Sequence, residues 1–271
     1  MAIGRSEPGA RGPVILVECG AMSGHSKWAQ IKRQKGANDA RRGAVFTKVA
    51  REIAIAARAG GGDPDGNFKL RLAIEKARGV NMPMDNIKRA IERATGGPEA
   101  EQFEEITYEG YGPGGVAIIV ETATDNRNRT AADVRAIFTK HGGQLAGSGA
   151  VAWQFEQRGR IAIPRDRQDA DDIALMAIDA GAEDVDTDSD PIEVYTEAAG
   201  LEAVRRSLEA AGVKLETAEL SMQAKSTIEV DAAKARANLR LIEHLEDHDD
   251  VQRVTANFEI PDEVMAEAAT A

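Results

Sequence analysis

The sequence has few of the residues that would indicate a disulfide-stabilised, metal-binding or membrane-spanning protein. Its 271 residues include a single cysteine, Cys19, which excludes an internal disulfide and a cysteine-rich zinc site. No apolar run in the chain approaches the ~20 residues needed to span a bilayer. We therefore expect a protein of a reducing compartment, the cytoplasm, without a membrane partner.

Motifs for catalysis and metal binding are also missing. The sequence has no P-loop, no Gly-x-Ser-x-Gly and no cysteine in a recognisable active-site motif. His244 and His248 are one helical turn apart, but Leu245 stands where the zincin pattern requires Glu. The alternate aspartates of residues 184–190 resemble a calcium loop, yet Ser189 replaces its glycine. We expect no enzyme, metal site, cofactor or small-molecule substrate.

Gly110, Gly112 and Gly115 match the dinucleotide-binding fingerprint in their spacing. That fingerprint binds pyrophosphate only where a strand ends and a helix begins. Here a second predicted strand follows, and Pro113 interrupts the turn. The pattern therefore favours a β-hairpin.

Positive charge is concentrated in one part of a chain whose formal net charge is −11. Residues 23–98 contain 16 Lys and Arg against 7 Asp and Glu, a net charge of +9. Residues 99–271 contain 16 against 36, a net charge of −20. Such asymmetry is typical of a polyanion-binding module joined to an acidic body. It favours nucleic acid over a membrane or a small molecule.

The densest basic stretch, residues 24–42, carries the candidate interface. Lys and Arg neutralise phosphates and release counterions, while an aromatic ring stacks on a base. The alternative is a solvated charged face with Trp28 anchored in a core. A second candidate is the segment 125–130, whose alternative role is a helix cap provided by Asp125 or Asn126. The candidate nucleic-acid contacts are His25, Lys27, Trp28, Lys32, Arg33, Lys35, Arg41, Arg42, Lys48, Arg127 and Arg129.

Hydrophobic periodicity predicts three short helices in the basic part of the chain. They cover residues 38–58, a segment from about Asn67 to Gly79, and a segment from Pro83 to Gly96. After Pro98 the pattern alternates between strands and helices. The predicted strands are 106–111, 116–122, 151–155 paired with 160–163, one near Val185, 192–196, 213–220, 227–230 and 251–258. The predicted helices are 130–140, 170–180, 201–211 and 232–245.

The predicted fold class is α+β, with an N-terminal three-helix bundle and small ferredoxin-like sandwiches after it. The pattern is compatible with a discontinuous middle domain into which a third domain is inserted. We predict a basic helical domain at 22–98, a middle domain at 99–150 plus 223–261, an inserted domain at 151–222 and a tail at 262–271. Residues 1–21 are interpreted as a disordered extension or a mis-assigned start.

Several uncommon strings in this order resemble the YebC/PmpR family, whose mitochondrial relatives activate translation. The resemblance runs from about Met22 to Ile260. Its strings are Gly24-His25-Ser26-Lys27-Trp28, Arg42-Gly43 with Phe46-Thr47-Lys48, Asn81-Met82-Pro83, Tyr108 through Gly115, Thr124 through Thr130, and Asp249-Asp250-Val251-Gln252.

The resemblance implies three domains, the third inserted into the second, and a cytoplasmic protein without enzymatic activity. Members of the family are described as DNA-binding transcriptional regulators or as ribosome-associated factors that relieve stalling. We therefore expect a non-enzymatic regulator of gene expression, with ribosomal RNA or promoter DNA, and the ribosome itself, as partners. The alternative is a protein-interaction adaptor that docks on an acidic partner.

Overall fold

The protein is described by a computed structural model that covers residues 39–96, 103–165 and 169–270. Its first part is a bundle of three helices, α1 (Asp39–Gly60), α2 (Phe68–Gly79) and α3 (Met84–Thr95). These helices bury one common apolar core, in which α2 contributes the four residues predicted for its inner face, Leu70, Ala73, Ile74 and Ala77.

Asn67 fixes the turn between the first two helices. Its side-chain oxygen accepts a hydrogen bond from the Leu70 amide at 3.1 Å, which caps α2. Its amide nitrogen donates to the carbonyl oxygens of Ala56 and Gly61 at 2.7 and 2.8 Å. One buried side chain therefore satisfies backbone groups at the C-terminal end of α1 and at the N-terminal end of α2.

A four-stranded antiparallel sheet, the first sheet, follows the bundle in the order β3-β1-β2-β9. Helices α4 (Arg127–Lys140) and α7 (Ala232–Glu246) contribute to the core that covers one of its faces. A short parallel pair, β8 and β10, and helix α8 (Asp262–Thr270) complete this part of the chain. The strands are β1 (Glu104–Tyr111), β2 (Ala117–Thr124), β3 (Gln144–Leu145), β8 (Ile228–Glu229), β9 (Val251–Ala256) and β10 (Phe258–Glu259).

The second sheet has the order β5-β6-β4-β7 and is also antiparallel. Its core includes α5 (Ala170–Asp179) and α6 (Leu201–Ala210). The strands are β4 (Phe155–Ile163), β5 (Asp184–Asp186), β6 (Ile192–Glu197) and β7 (Thr217–Ala224). All of them lie in the chain between β3 and β9 of the first sheet.

The prediction of an α+β fold, with a helical bundle followed by sheet-containing regions, is confirmed. The interrupted glycine pattern forms a hairpin, as predicted, because β1 pairs with β2 in antiparallel register. The segment 262–271, predicted as a tail, contains helix α8 instead. The domain boundaries stay a prediction.

The predicted strand pair 151–155 and 160–163 is wrong. Residues 155–163 form one continuous strand, which a 3-10 turn at Ala152–Gln154 precedes. Gly159 lies inside this strand, and a Cβ there would lie 2.3 Å from the Thr196 hydroxyl. The glycine is required for close approach to the neighbouring strand and does not mark a turn.

The last strand of the second sheet also differs from the prediction. It was expected at 213–220 and lies at Thr217–Ala224. Val213 is buried, but its amide donates to the Leu208 carbonyl at 3.0 Å just after Gly212, whose φ is +85°. Val213 therefore belongs to the end of α6, where a buried apolar residue often follows the glycine.

Within the described ranges, none of the helices is both long and apolar enough to cross a membrane.

Candidate nucleic-acid interface

The predicted contact residues are only partly within the described chain. His25, Lys27, Trp28, Lys32, Arg33 and Lys35 lie outside the described residues. Arg41 and Arg42 lie in the first turn of α1, and their side chains are likewise outside the description. The structure therefore describes the side chains of Lys48, Arg127 and Arg129 from this set.

Lys48 and Arg51, one turn apart on α1, face the acidic body. The Lys48 ammonium donates to the carbonyl oxygen of Glu246, the last residue of α7. The Arg51 guanidinium donates to the Asp250 carboxylate at 2.8 Å and to the Asp249 carbonyl at 2.5 Å. Cations are favourable there because the unpaired carbonyls of a helix C-terminus carry partial negative charge. These two residues dock the bundle on the first sheet.

Asp250 is the centre of this contact. Its side chain is only 3% exposed, and one carboxylate oxygen accepts from the Arg129 guanidinium at 2.9 Å and from the Thr130 hydroxyl at 2.6 Å. Burial raises the pKa of this carboxyl, but the hydrogen bonds from Arg129 and Thr130 and the charge of Arg51 lower it to about 2. The carboxylate therefore stays ionised and ties three segments together.

The segment 125–130 provides the helix cap considered for it, and its role as a nucleic-acid contact stays a prediction. Asn126 caps the helix, since its side-chain oxygen accepts from the Arg129 amide at 3.1 Å. The Arg129 side chain pairs with Asp125 at 2.8 Å as well as with Asp250. Arg127 is exposed, and only its carbonyl oxygen takes part, as an acceptor from the Tyr108 hydroxyl at 3.3 Å. Both arginines are exposed, and Arg129 is the one whose side chain forms ion pairs within the protein.

Two further ion pairs join the bundle to the second sheet region. Arg71 of α2 pairs with Glu202 of α6 at 3.1 Å, and Arg205 of α6 reaches Glu75 of α2 at 3.4 Å. Side chains of Phe68 and Leu72 pack against the core of the second sheet from the same helix. One face of the bundle is thus committed to contacts within the protein.

Of the other cations of the described bundle, Lys76 pairs with Glu52 at 2.7 Å within the bundle, and six are exposed to solvent. None of these six is among the docking residues just described. They are Arg58, Lys69, Arg78, Lys88, Arg89 and Arg93. Sequence periodicity separated polar from apolar positions correctly, but it did not separate docking cations from exposed ones, because that distinction depends on the position of Asp250 about 200 residues later.

His244 and His248 do not converge on one site, and only His244 lies in α7, which ends at Glu246. His248 Nε2 lies 3.3 Å from the Asp133 carboxylate, and His248 Nδ1 accepts from the Asp250 amide at 3.1 Å. His244 stacks instead on His141. No group of three or more metal-ligating side chains is found in the part of the chain that the structure describes.

Comparisons with known proteins cover nearly the whole chain. Residues 26–97 match the family described as TACO1/YebC protein N-terminal domain, and residues 103–258 match TACO1/YebC second and third domain. The chain belongs to the TACO1/YebC family. The family resemblance drawn from the sequence motifs is thereby confirmed.

Relatives within this family are similar over most of their length. A protein of Rubrobacter xylanophilus named probable transcriptional regulatory protein is 56% identical over 249 residues, which cover 92% of this chain and 100% of the relative. A protein of Roseiflexus castenholzii with the same name is 57% identical over 248 residues, with 90% and 97% covered. The crystal structure of a conserved hypothetical protein from Aquifex aeolicus is 47% identical with a TM-score of 0.81, and the match covers 86% of this chain and 97% of that one.

Proposed function

We propose that the protein is a non-enzymatic regulator of gene expression that binds nucleic acid through its basic helical bundle. The observation that carries this proposal is the separation of charge, +9 in residues 23–98 against −20 in residues 99–271. The described bundle supports it, since Arg58, Lys69 and Lys88 are among the cations on its solvent-exposed side. Basic residues collected on one face form the electrostatic footprint of a nucleic-acid-binding surface.

Structured RNA on the ribosome is the target that the charge distribution favours. A net charge of −20 in the sheet regions repels an extended duplex that would run along the protein. A folded RNA can contact the bundle and leave the acidic surfaces in solvent. No helix-turn-helix with a clear base-reading helix is recognisable in the sequence of the described ranges. We therefore expect contacts mainly to phosphates.

Promoter DNA is the second candidate target, and a specific observation favours it. The relatives in Rubrobacter xylanophilus and Roseiflexus castenholzii are both named probable transcriptional regulatory proteins. A regulator of this kind must discriminate its operator from random DNA, typically by ~10³ or more at fixed salt. A ribosome factor needs no such discrimination between duplexes.

A triple charge reversal tests the bundle as the interface. Lys32→Glu, Arg33→Glu and Lys35→Glu should weaken binding and flatten its salt dependence, since wild-type contacts to about five phosphates give a log–log slope near ~4. The matched control is Arg135→Glu, Arg206→Glu and Lys214→Glu, three exposed cations of the acidic body, which makes the same change in net charge. Equal affinities and slopes for the two triple variants would contradict the proposed interface.

Crosslinking in cells, followed by sequencing of the attached RNA and DNA, separates the two targets. Crosslinks at one region of ribosomal RNA are expected for a translation factor. Crosslinks at a few promoters would establish a transcriptional regulator instead. The adaptor alternative predicts complexes with protein partners that survive nuclease treatment, and few crosslinks of either kind.

A further inference from the structure

Four basic residues lie toward the C-terminal ends of α4 and α7, the helices that help to cover one face of the first sheet. His141, which follows the last residue of α4, stacks on His244 of α7 with 4.3 Å between ring centroids and 29° between ring planes. Lys140 precedes His141, and Arg240 lies one turn before His244. Lys140, Arg240 and His244 are exposed, and His141 is half-buried. We call these four residues the histidine cluster.

The histidine cluster collects positive charge, which the carbonyls at the C-terminal ends of α4 and α7 offset only in part. The pKa of the His141 imidazole is lowered by burial and then by His244, Lys140 and Arg240. Within the described residues, no carboxylate is among the groups that shift this pKa, although Glu243 neighbours His244 in the chain. Like charges so placed destabilise one another unless an anion lies between them.

The other elements packed against α4 direct their polar groups elsewhere. The Glu109 carboxylate of β1 accepts from the amides of Gly149, Val151 and Ala152, at 2.6 to 2.8 Å. The Tyr111 hydroxyl donates to the Ala150 carbonyl at 3.1 Å. Both groups therefore hold the loop at 149–152, and neither offers a counter-charge to His141.

The chemistry of the cluster selects an anion. A metal cation would be repelled by Lys140 and Arg240, and parallel stacked imidazoles do not aim two nitrogen lone pairs at one point. A phosphate group, by contrast, accepts from a guanidinium, an ammonium and imidazolium N–H groups together. The cluster also lies on a part of the chain whose net charge is strongly negative, so a local basic site there needs a reason other than overall charge.

We propose that His141, His244, Lys140 and Arg240 form a second phosphate-binding surface, which contacts the phosphodiester backbone of RNA already bound by the helical bundle. This inference rests on the proposed function. RNA is the committed ligand because a folded strand can reach two separate basic surfaces and avoid the acidic ones between them. The bundle supplies most of the affinity, and the histidine cluster orients the RNA along the first sheet.

The histidine cluster makes binding depend on pH in one direction. A bound phosphate raises the pKa of the His141 imidazole relative to the unbound protein, because it favours the charged form. Affinity is therefore highest below the pKa of the unbound His141 imidazole and falls as the pH rises through its pKa in the complex. Tightening of RNA binding is expected as the pH is lowered from about 8 to about 6.

NMR of the four histidines tests this inference on the full chain, with a short RNA hairpin as the probe. The imidazole signals of His141 and His244 should shift when RNA is added, and His141 should titrate at higher pH. The chemical shifts of His248, which is hydrogen-bonded within the protein, should change little. His25 reports separately on the N-terminal basic stretch. The proposed function and this inference are therefore measured at different signals of one sample.

The matched variants are Lys140→Gln with Arg240→Gln and, as control, Arg206→Gln with Lys214→Gln, which removes the same charge from exposed sites of the second sheet region. The first pair should weaken RNA binding about tenfold or more near 0.1 M salt and lower the log–log salt slope by about 1.5, whereas the control pair should change neither by as much. If RNA shifts only the His25 signal and the two double variants bind RNA equally well, the histidine cluster is not a phosphate-binding surface. The proposed function is unaffected by that result. Absence of RNA binding by the wild type overturns both.

Discussion

Asp250 shows how much one carboxylate contributes at the contact between the bundle and the first sheet. It receives Arg51 from α1, Arg129 and Thr130 from α4, and the Thr124 hydroxyl, 3.2 Å away, from the end of β2. A buried charge is stable only when its lone pairs are satisfied in this way. The loss of this one side chain therefore affects three elements together.

Asp250→Asn should lower the free energy of unfolding by about 2–3 kcal/mol, because an amide supplies one acceptor oxygen where two cations and two hydroxyls now bind. Chemical denaturation of the two proteins measures the difference. Asp249→Asn is the matched control, since Asp249 is exposed and Arg51 bonds only its carbonyl oxygen. Equal losses from the two substitutions would contradict the central role of Asp250.

The same residue predicts a specific acid sensitivity. The pKa of Asp250 is about 2 in the folded protein, against an unperturbed value near 3.9. Its contribution is fully present above about pH 4 and is lost as the pH falls through about 2. The stability gap between wild type and Asp250→Asn should therefore narrow over that interval. A gap that stays constant from pH 5 to pH 2 would show that the charge of Asp250 is not what stabilises the contact.

At the residue scale, the sequence showed which positions carry charge but did not show which residues those charges contact. Lys48 was predicted as a nucleic-acid contact on its charge and helix face, and the structure places it at the carbonyl of Glu246. Asp250 was noticed only within a family motif. An ion pair between residues about 200 positions apart leaves no local sequence pattern, so neither residue can be predicted from the other.

At the scale of elements, the hairpin between β1 and β2 packs closely against α7 because Gly112 has no side chain. A Cβ on Gly112 would lie 2.0 Å from the side-chain oxygen of Asn238, which is fully buried on α7. The Asn238 amide in turn donates to the Pro113 carbonyl at 2.8 Å. The glycine that suggested a nucleotide-binding loop is thus required for packing.

Gly112→Ala should lower the free energy of unfolding by about 1–3 kcal/mol, since either the hairpin or Asn238 must move to admit the methyl group. Gly147→Ala is the matched control, because a Cβ there meets nothing within 4 Å and the backbone φ of Gly147 is not positive. Thermal unfolding measures both variants. A loss in Gly147→Ala as large as in Gly112→Ala would contradict the steric explanation, because Gly→Ala at an unstrained position is expected to stabilise slightly.

The elements themselves were largely predictable from periodicity and from capping residues. The three bundle helices, α5 to α7 and the first hairpin lie within a few residues of their predicted positions. The error at Gly159 arose because tertiary packing placed that residue, and the error at Val213 arose because a helix C-terminal turn resembled the start of a strand. Local sequence pattern predicts that an element exists better than it predicts where the element ends.

At the scale of the whole molecule, cations of the bundle serve two different purposes. Arg51 and Arg71 pair with carboxylates of the sheet regions, while Arg78 and Lys88 face solvent. The charge asymmetry was visible in the sequence, but it does not tell which cations neutralise the acidic body. That division follows only from how the bundle packs, which leaves Arg78 and Lys88 exposed.

Arg51→Glu combined with Arg71→Glu should loosen the bundle from both sheet regions, because each reversed pair faces a carboxylate and costs about 2–5 kcal/mol. Small-angle scattering should show a larger radius of gyration than in the wild type. Arg78→Glu with Lys88→Glu makes the same charge change on exposed positions and should leave the radius unchanged. An unchanged radius in the first variant would indicate that apolar contacts, such as those of Phe68 and Leu72, hold the bundle by themselves.

The chain order of the first sheet has a consequence for synthesis. Strand β9 pairs with β2, yet the entire second sheet is translated between them. The second sheet can therefore fold on the emerging chain while the edge of β2 is still unpaired, and an unpaired edge invites wrong strand partners. A nascent chain that stops before Val251 leaves that edge open, although every residue of β2 was made long before. The first sheet can therefore be completed only after strand β9 has been synthesised.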